Sequence, residues 1–345
     1  VPGFEDTLGI GSCRQVIVLL VDGLGWNLLQ SHSALVPNLA ALPASSIDAA
    51  FPTTTPVGLG SFGTGLPPGA HGLVGASFWL PETDALLSPL HWGNDPLPVA
   101  VQPEPTVFEK VAKAGFRMST VSPAAYAESG LTRAVLRGPV YYPAEDIDSR
   151  VAHVAAILAL DEPSFTYVYW FELDRIGHEF GVASEEWRAA LTRVDALVGR
   201  LVSLMSADTT LVVTADHGMV DCPADLRIHL EDDLRLMDGV THVAGEPRAR
   251  HVYVREGAVP DVLEAWRSVL RDRVQVMSRA QIAESGLMGP LDPSLSARVG
   301  DVMAVSRGAT MLASRVDTTV SRLLGQHGAL TDDEVRIPAL IQRGP

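Results

Sequence analysis

Val16-Ile17-Val18-Leu19-Leu20-Val21, running straight into Asp22-Gly23, is the stretch on which the fold turns. Six apolar residues in a row, four of them β-branched, read as a short strand buried on both faces. That is the habit of parallel sheets, whose two sides are both covered. The run stops abruptly at a turn, and helix-like sequence follows to about Gln30.

The same alternation recurs outward from this point. The patterning predicts a helix over 106–114 before a strand over 117–121, a helix over 147–160 before a strand over 165–171, and a helix over 184–206 before a strand over 209–214. Repeated helix–strand alternation implies an α/β fold with a mostly parallel central sheet and helices on both faces. Ligands of such sheets gather at the carboxyl ends of the strands. Three of the strands lead into acidic residues there: Asp22, Glu172 with Asp174, and Asp216.

From about Cys222 to Arg298 the sequence changes character, with a charged piece Glu231-Asp232-Asp233, a strand signal over 251–254 and an amphipathic helix over 262–270. The expected organisation is a catalytic core of residues 1–221 and 299–345, interrupted by a cap over 222–298 that selects substrate. The core is expected to resume with 301–306 and to close through Gly325–Gly328 and a last strand over 337–341.

The composition narrows the function. Of 345 residues, 26 are Lys or Arg and 41 Asp or Glu, a formal net charge of −15. A nucleic-acid groove or an anionic membrane surface would call for the opposite sign, whereas a small ligand or a metal fits. No segment reaches the ~18 uninterrupted apolar residues of a membrane span. Two cysteines, Cys13 and Cys222, lack any metal or redox spacing, and the expected location is cytoplasmic. With Val1 and not Met at its head, the sequence leaves room for a removed signal or anchor.

Five short motifs carry the chemistry, and each has an ordinary reading beside the functional one. Asp22-Gly23 is also a common turn. Phe51-Pro52-Thr53-Thr54-Thr55-Pro56 runs into Gly58-Leu59-Gly60-Ser61-Phe62-Gly63. The glycines match a dinucleotide fingerprint formally, but no strand leads into them. A Thr cluster before a helix start fits a hydroxyl nucleophile at a positive helix end, or simply a capped helix. Asp174 and His178, four apart, share one helical face and suit a cation or a surface contact. Asp216-His217-Gly218 follows a strong strand, and Gly325-Gln326-His327-Gly328 isolates one imidazole between glycines. Together they supply three carboxylates, three imidazoles and a hydroxyl, a donor set for two divalent cations of zinc type without thiolate. Such a pair suits in-line displacement at phosphorus.

The order Asp-Gly, Phe-Pro-Thr-x-Thr, Gly-His, Asp-His-Gly, His-Gly resembles the alkaline phosphatase superfamily, most closely its nucleotide pyrophosphatase/phosphodiesterase branch. The resemblance implies two Zn²⁺, or Mn²⁺ or another divalent cation: one on Asp174, His178 and His327, the other on Asp22, Asp216 and His217. Thr55 is then the nucleophile touching the second, with Thr53 and Thr54 as fallbacks. It implies hydrolysis of phosphodiester or pyrophosphate bonds in a small phosphorylated substrate through a covalent phosphothreonine. Two departures stand out: Ala76 occupies the place of an Asn that grips a phosphoryl oxygen, and Pro56 that of an aromatic residue. Phe78 and Trp79 are candidate pocket residues or core. His71, Trp92, His242 and His251 are read as structural or cap residues, and Cys222 has no role. A sulfatase would need a modifiable Cys or Ser where Thr55-Pro56 stands. A phosphomonoesterase, a phosphonoacetate-type hydrolase, a mutase relative and a non-catalytic metal binder are the alternatives.

Overall fold

A computed structural model describes residues 6–315 and 319–345. Its central sheet has seven strands in the order Ala44–Asp48, Arg336–Arg343, Thr209–Thr214, Gln15–Val21, Ser164–Trp170, Arg117–Ser122 and Val140–Pro143. All neighbours pair in parallel except Arg336–Arg343, which runs antiparallel to both strands beside it. Gln15–Val21 lies near the middle, and its odd and even side chains enter different clusters. Ile17, Leu19 and Val21 pack with Trp187, Leu191 and Leu197 of the helix Glu185–Val202, while Leu20 joins Phe51, Leu59 and Tyr167 on the other face. Burial on both sides is what an unbroken apolar run requires.

The helices sit where the alternation places them: Trp26–Ser31, Val107–Lys113, Ile147–Leu158 and Glu185–Val202. Thr106, Asp146 and Ser184 start three of them by accepting a backbone N–H from the first turn, which satisfies a donor the helix itself leaves open. Val140–Pro143 and the edge strand Ala44–Asp48 carry too little apolar pattern to be read from the sequence.

A second, four-stranded antiparallel sheet has the order Val240–Glu246, Ala249–Val254, Val302–Ser306, Val274–Ser278. Here the expectation that the core resumes at 301–306 is corrected, because Val302–Ser306 is an inner strand of the small sheet. The cause is physical. Val302 and Ala304 pack under Trp266 of the helix Val259–Leu270, while Met303 and Val305 face the main core beside Phe78 and Leu73. A strand covered on both faces reads like a parallel one whatever its partners do. The short strand Met311–Ala313 also pairs back, with Arg227–His229.

Candidate active site

Sheet order brings the acidic turns together. Thr209–Thr214, Gln15–Val21 and Ser164–Trp170 are adjacent, and their carboxyl ends lead to Asp216, Asp22 and, through the helix Glu172–Phe180, Asp174 and His178. His327 arrives on the turn after the strand Gly325–Gln326, which pairs with Val220–Asp221 just beyond Asp216-His217. Two groups result, Asp174 with His178 and His327, and Asp22 with Asp216 and His217, the donor atoms of each lying within 4.8 Å of one another.

The hydrogen bonds leave these donors free for a cation. Asp216 Oδ1 accepts the N–H groups of Gly23 and His217 at 3.3 and 3.0 Å, and Asp22 Oδ2 accepts the hydroxyl of Tyr169. Their other oxygens, Asp22 Oδ1 and Asp216 Oδ2, are buried without a hydrogen-bond partner, as is Asp174 Oδ1. Each histidine donates Nδ1–H to a backbone carbonyl: His178 to Gly325 at 2.7 Å, His217 to Gly218 at 3.0 Å, His327 to Thr53 at 2.8 Å. That fixes the tautomer and turns every Nε2 lone pair toward the carboxylates, at 3.4 Å for His178 to Asp174 and for His217 to Asp22. One orphaned oxygen per carboxylate and one unprotonated nitrogen per imidazole, that of His217 accepting the Thr55 hydroxyl at 3.3 Å, fit divalent cations bound by mixed nitrogen and oxygen donors.

The electrostatics agree. Burial, then the charges of Asp216 and Asp174, hold the Asp22 carboxyl well above the usual carboxylate range, and burial first raises Asp216 too. Burial, then the neighbouring His217 and His178, holds His327 well below the ordinary imidazole value. His217 and His327 stack with centroids 3.8 Å apart. Three carboxylates crowded out of water repel one another unless positive charge enters among them.

Thr55 begins the helix Thr55–Thr64, and its Oγ1 lies 3.3 Å from His217 Nε2. The first turn of a helix presents free N–H groups and a positive dipole end, which favour an anion. Thr53 is differently employed, since its hydroxyl donates to Ala329 O at 2.9 Å and accepts from Gly328 N at 3.0 Å. The glycines after Thr55 serve close approach. A Cβ at Gly58 would stand 2.6 Å from that of Asp216, so only glycine lets this helix press against the acidic turn.

Beside Asp22, Thr55 and Asp174 opens a cavity of about 650 Å³. Its walls are Leu90, Leu131, Leu136, Tyr126, Tyr141, Tyr169 and Phe171, with Arg175 and Glu179 also lining it. Sequence reasoning missed these walls. The strand-end rule pointed there, since 123–141 directly follows Arg117–Ser122. None of the described residues lining the cavity belongs to 222–298, the segment expected to select substrate. Phe78 is fully buried core, Trp79 lies against His242 with rings 4.8 Å apart, and Trp92 donates to Pro96 O at 2.8 Å. His71 and His251 are buried and hydrogen-bonded at both ring nitrogens. Cys222 is buried and unpaired in a disulfide sense, 3.4 Å from Arg248 Nη1.

The whole of this geometry falls inside a family match. The model of the type I phosphodiesterase / nucleotide pyrophosphatase family matches residues 16–330. A venom phosphodiesterase of Macrovipera lebetinus is 25% identical over 272 residues, 72% of this chain and 30% of that protein; the chain thus spans about a third of the length of that relative. Murine ectonucleotide pyrophosphatase / phosphodiesterase 5 superposes with a TM-score of 0.76 at 20% identity, covering 96% of this chain and 88% of the other. An inactive Thr-to-Ala variant of it, in complex with AMP, gives 0.75 at 21%, covering 94% and 87%. Phosphonoacetate hydrolase from Sinorhizobium meliloti 1021, in complex with phosphonoformate, gives 0.75 at 20%, covering 96% and 91%. No helix among the described residues is long and apolar enough to cross a membrane. With the match extending over the strand-end turns, the helix Thr55–Thr64 and His327 alike, the chain belongs to the type I phosphodiesterase / nucleotide pyrophosphatase family.

Proposed function

We propose that the protein hydrolyses phosphodiester or pyrophosphate bonds, with two divalent cations of zinc type on Asp174, His178 and His327 and on Asp22, Asp216 and His217. The observation that carries this reading is the buried, orphaned oxygen on each of the three carboxylates, beside three imidazoles whose Nε2 carries a lone pair. Bound there, the cations supply Lewis acidity toward phosphoryl oxygen and lower the pKa of a hydroxyl. Thr55 is the nucleophile. Its deprotonated Oγ attacks phosphorus as the bond to the leaving oxygen breaks, and water then cleaves the phosphothreonine, freeing the phosphoryl product and restoring the hydroxyl. The helix Thr55–Thr64 faces the incoming anion with its N-terminal end, and Tyr169 holds Asp22 through its hydroxyl.

The cavity supports a diester over phosphonoacetate. An acetate group needs cationic partners, yet among the described lining residues Arg175 is the one guanidinium and lies 3.6 Å from Glu179. The aromatic and aliphatic walls suit an uncharged organic substituent, in a volume ordinary for small-ligand sites. The free cysteines Cys13 and Cys222 support a reducing, cytoplasmic compartment.

The deciding experiment is metal content by elemental analysis with initial rates on bis-p-nitrophenyl phosphate, p-nitrophenyl phosphate and phosphonoacetate, repeated after chelation and zinc restoration. About two zinc per chain and a chelator-sensitive diester preference are expected. A monoester or phosphonoacetate preference overturns the substrate, and absence of bound metal overturns the site.

A further inference from the structure

Glu246 ends the strand Val240–Glu246 of the small sheet and is 4% exposed. Its Oε2 accepts the N–H of Ala76 at 2.9 Å, and its Oε1 has no hydrogen-bond partner among the described residues. The other side of the chain rests on Gly328: a Cβ built there would come within 2.3 Å of Glu246 Cγ and 3.1 Å of Oε1. Gly328, at φ +129°, directly follows His327, and its N–H donates to the same Thr53 whose carbonyl receives His327 Nδ1.

The inserted sheet grips the neighbouring segment too. His251 Nε2 donates to Val74 O at 2.9 Å, Gly245 N–H to Ser77 O at 3.0 Å, and Trp79 N–H to the hydroxyl of Tyr253 at 2.8 Å. Glu246 is therefore where the small sheet, the 74–79 segment and the His327 turn meet. Burial pushes its carboxyl up to about 8, which keeps it largely neutral at pH 7 beside that turn. A buried polar oxygen left unpaired is rare and costly, so its retention against a glycine next to a metal-type ligand calls for a use.

We propose that Glu246 is a positioning residue: from the inserted sheet it fixes the His327–Gly328 turn against the 74–79 segment, and so sets the His327 imidazole relative to Asp174 and His178. This rests on reading those three residues as a cation-holding group. The insertion then acts on the site from behind, by aligning a ligand, while the cavity walls come from elsewhere.

The test is zinc affinity by chelator competition, with thermal melting and kcat and KM on bis-p-nitrophenyl phosphate, for Glu246→Gln, Glu246→Asp and Glu246→Ala. Gln keeps both the acceptor for Ala76 and the packing on Gly328, and native zinc affinity and rates are expected. Asp is one methylene too short to do both, and the weaker-bound zinc should lose about 10-fold or more in affinity, with kcat falling and KM little changed. Ala should behave as Asp. If Ala does not fold, the Asp and Gln pair decides. Native zinc binding in Asp overturns the proposal, and so does a loss in Gln equal to that in Asp. A native protein without zinc sinks the cation reading itself, whereas two zinc in the native protein and no change in Asp sinks only the role of Glu246.

Discussion

The hydroxyl of Thr55 stands 3.3 Å from Nε2 of His217, at the start of a helix whose third residue after it, Gly58, lies against Asp216. The start of this helix and the acidic turn are thus locked by close contact. Thr55→Ala should lower turnover by at least about 10³-fold, while two metals per chain and the melting temperature are kept. Elemental analysis beside steady-state rates checks it, and substantial residual activity would move the nucleophile to Thr54.

Tyr169, in the cavity wall, donates its hydroxyl to the candidate ligand Asp22. Removing the hydroxyl leaves a second orphaned oxygen on Asp22. Tyr169→Phe should weaken zinc binding by about 10–100-fold, the usual effect of losing an outer partner. Chelator competition measures it, and unchanged affinity would reduce Tyr169 to a wall.

Tyr126 touches Tyr169 and Phe171 edge-on, with centroids 6.0 and 5.9 Å apart. It lines the cavity beside Thr55. Tyr126→Ala should raise KM for an aryl diester by about 5–20-fold and leave kcat unchanged, the signature of lost uniform binding. A fall in kcat at constant KM contradicts that placement.

His251 is buried with its one proton committed: Nε2–H donates to Val74 O, and Nδ1 accepts the N–H of Gly300. Burial lowers its pKa to about 4, and that of His71 to about 3, from 6.5. Between these values and 6.5 the unfolded chain binds more protons than the folded one, so stability is fully present above pH 6.5 and declines as pH falls. Each histidine contributes a slope of up to about 1.4 kcal/mol per pH unit. Urea midpoints from pH 7 to 4.5 should show the decline, with a shallower slope in His251→Asn; equal slopes would refute the assignment.

The strands whose ends carry Asp22, Asp174 and Asp216 were legible because a run buried on both faces leaves an unbroken apolar mark, and Asp174–His178 because helical spacing is local. The grouping of Asp22 with Asp216 was not written in any window. It depends on Gln15–Val21 lying beside Thr209–Thr214, a strand far along the chain, and entered through family resemblance. Val302–Ser306 misled because burial, and not strand direction, shapes its composition. Glu246 left no sequence signal: in Gly245-Glu246-Pro247 it looks like a charged turn, and only packing against Gly328 distinguishes it. The cavity walls were hidden for a related reason, since Tyr126 and Leu131 lie in loop and short helix whose pattern has no period.

Arg336–Arg343 runs between Ala44–Asp48 and Thr209–Thr214, and among the described residues it is the one sheet neighbour of Ala44–Asp48. During synthesis, residues 44–48 leave the ribosome nearly three hundred residues ahead of their partner. Until that partner arrives, Thr209–Thr214 offers an open edge to any other nascent chain. Pairing at such separation is slow and exposed to aggregation, so the sheet keeps an unfilled place beside Thr209–Thr214 until translation has passed residue 343.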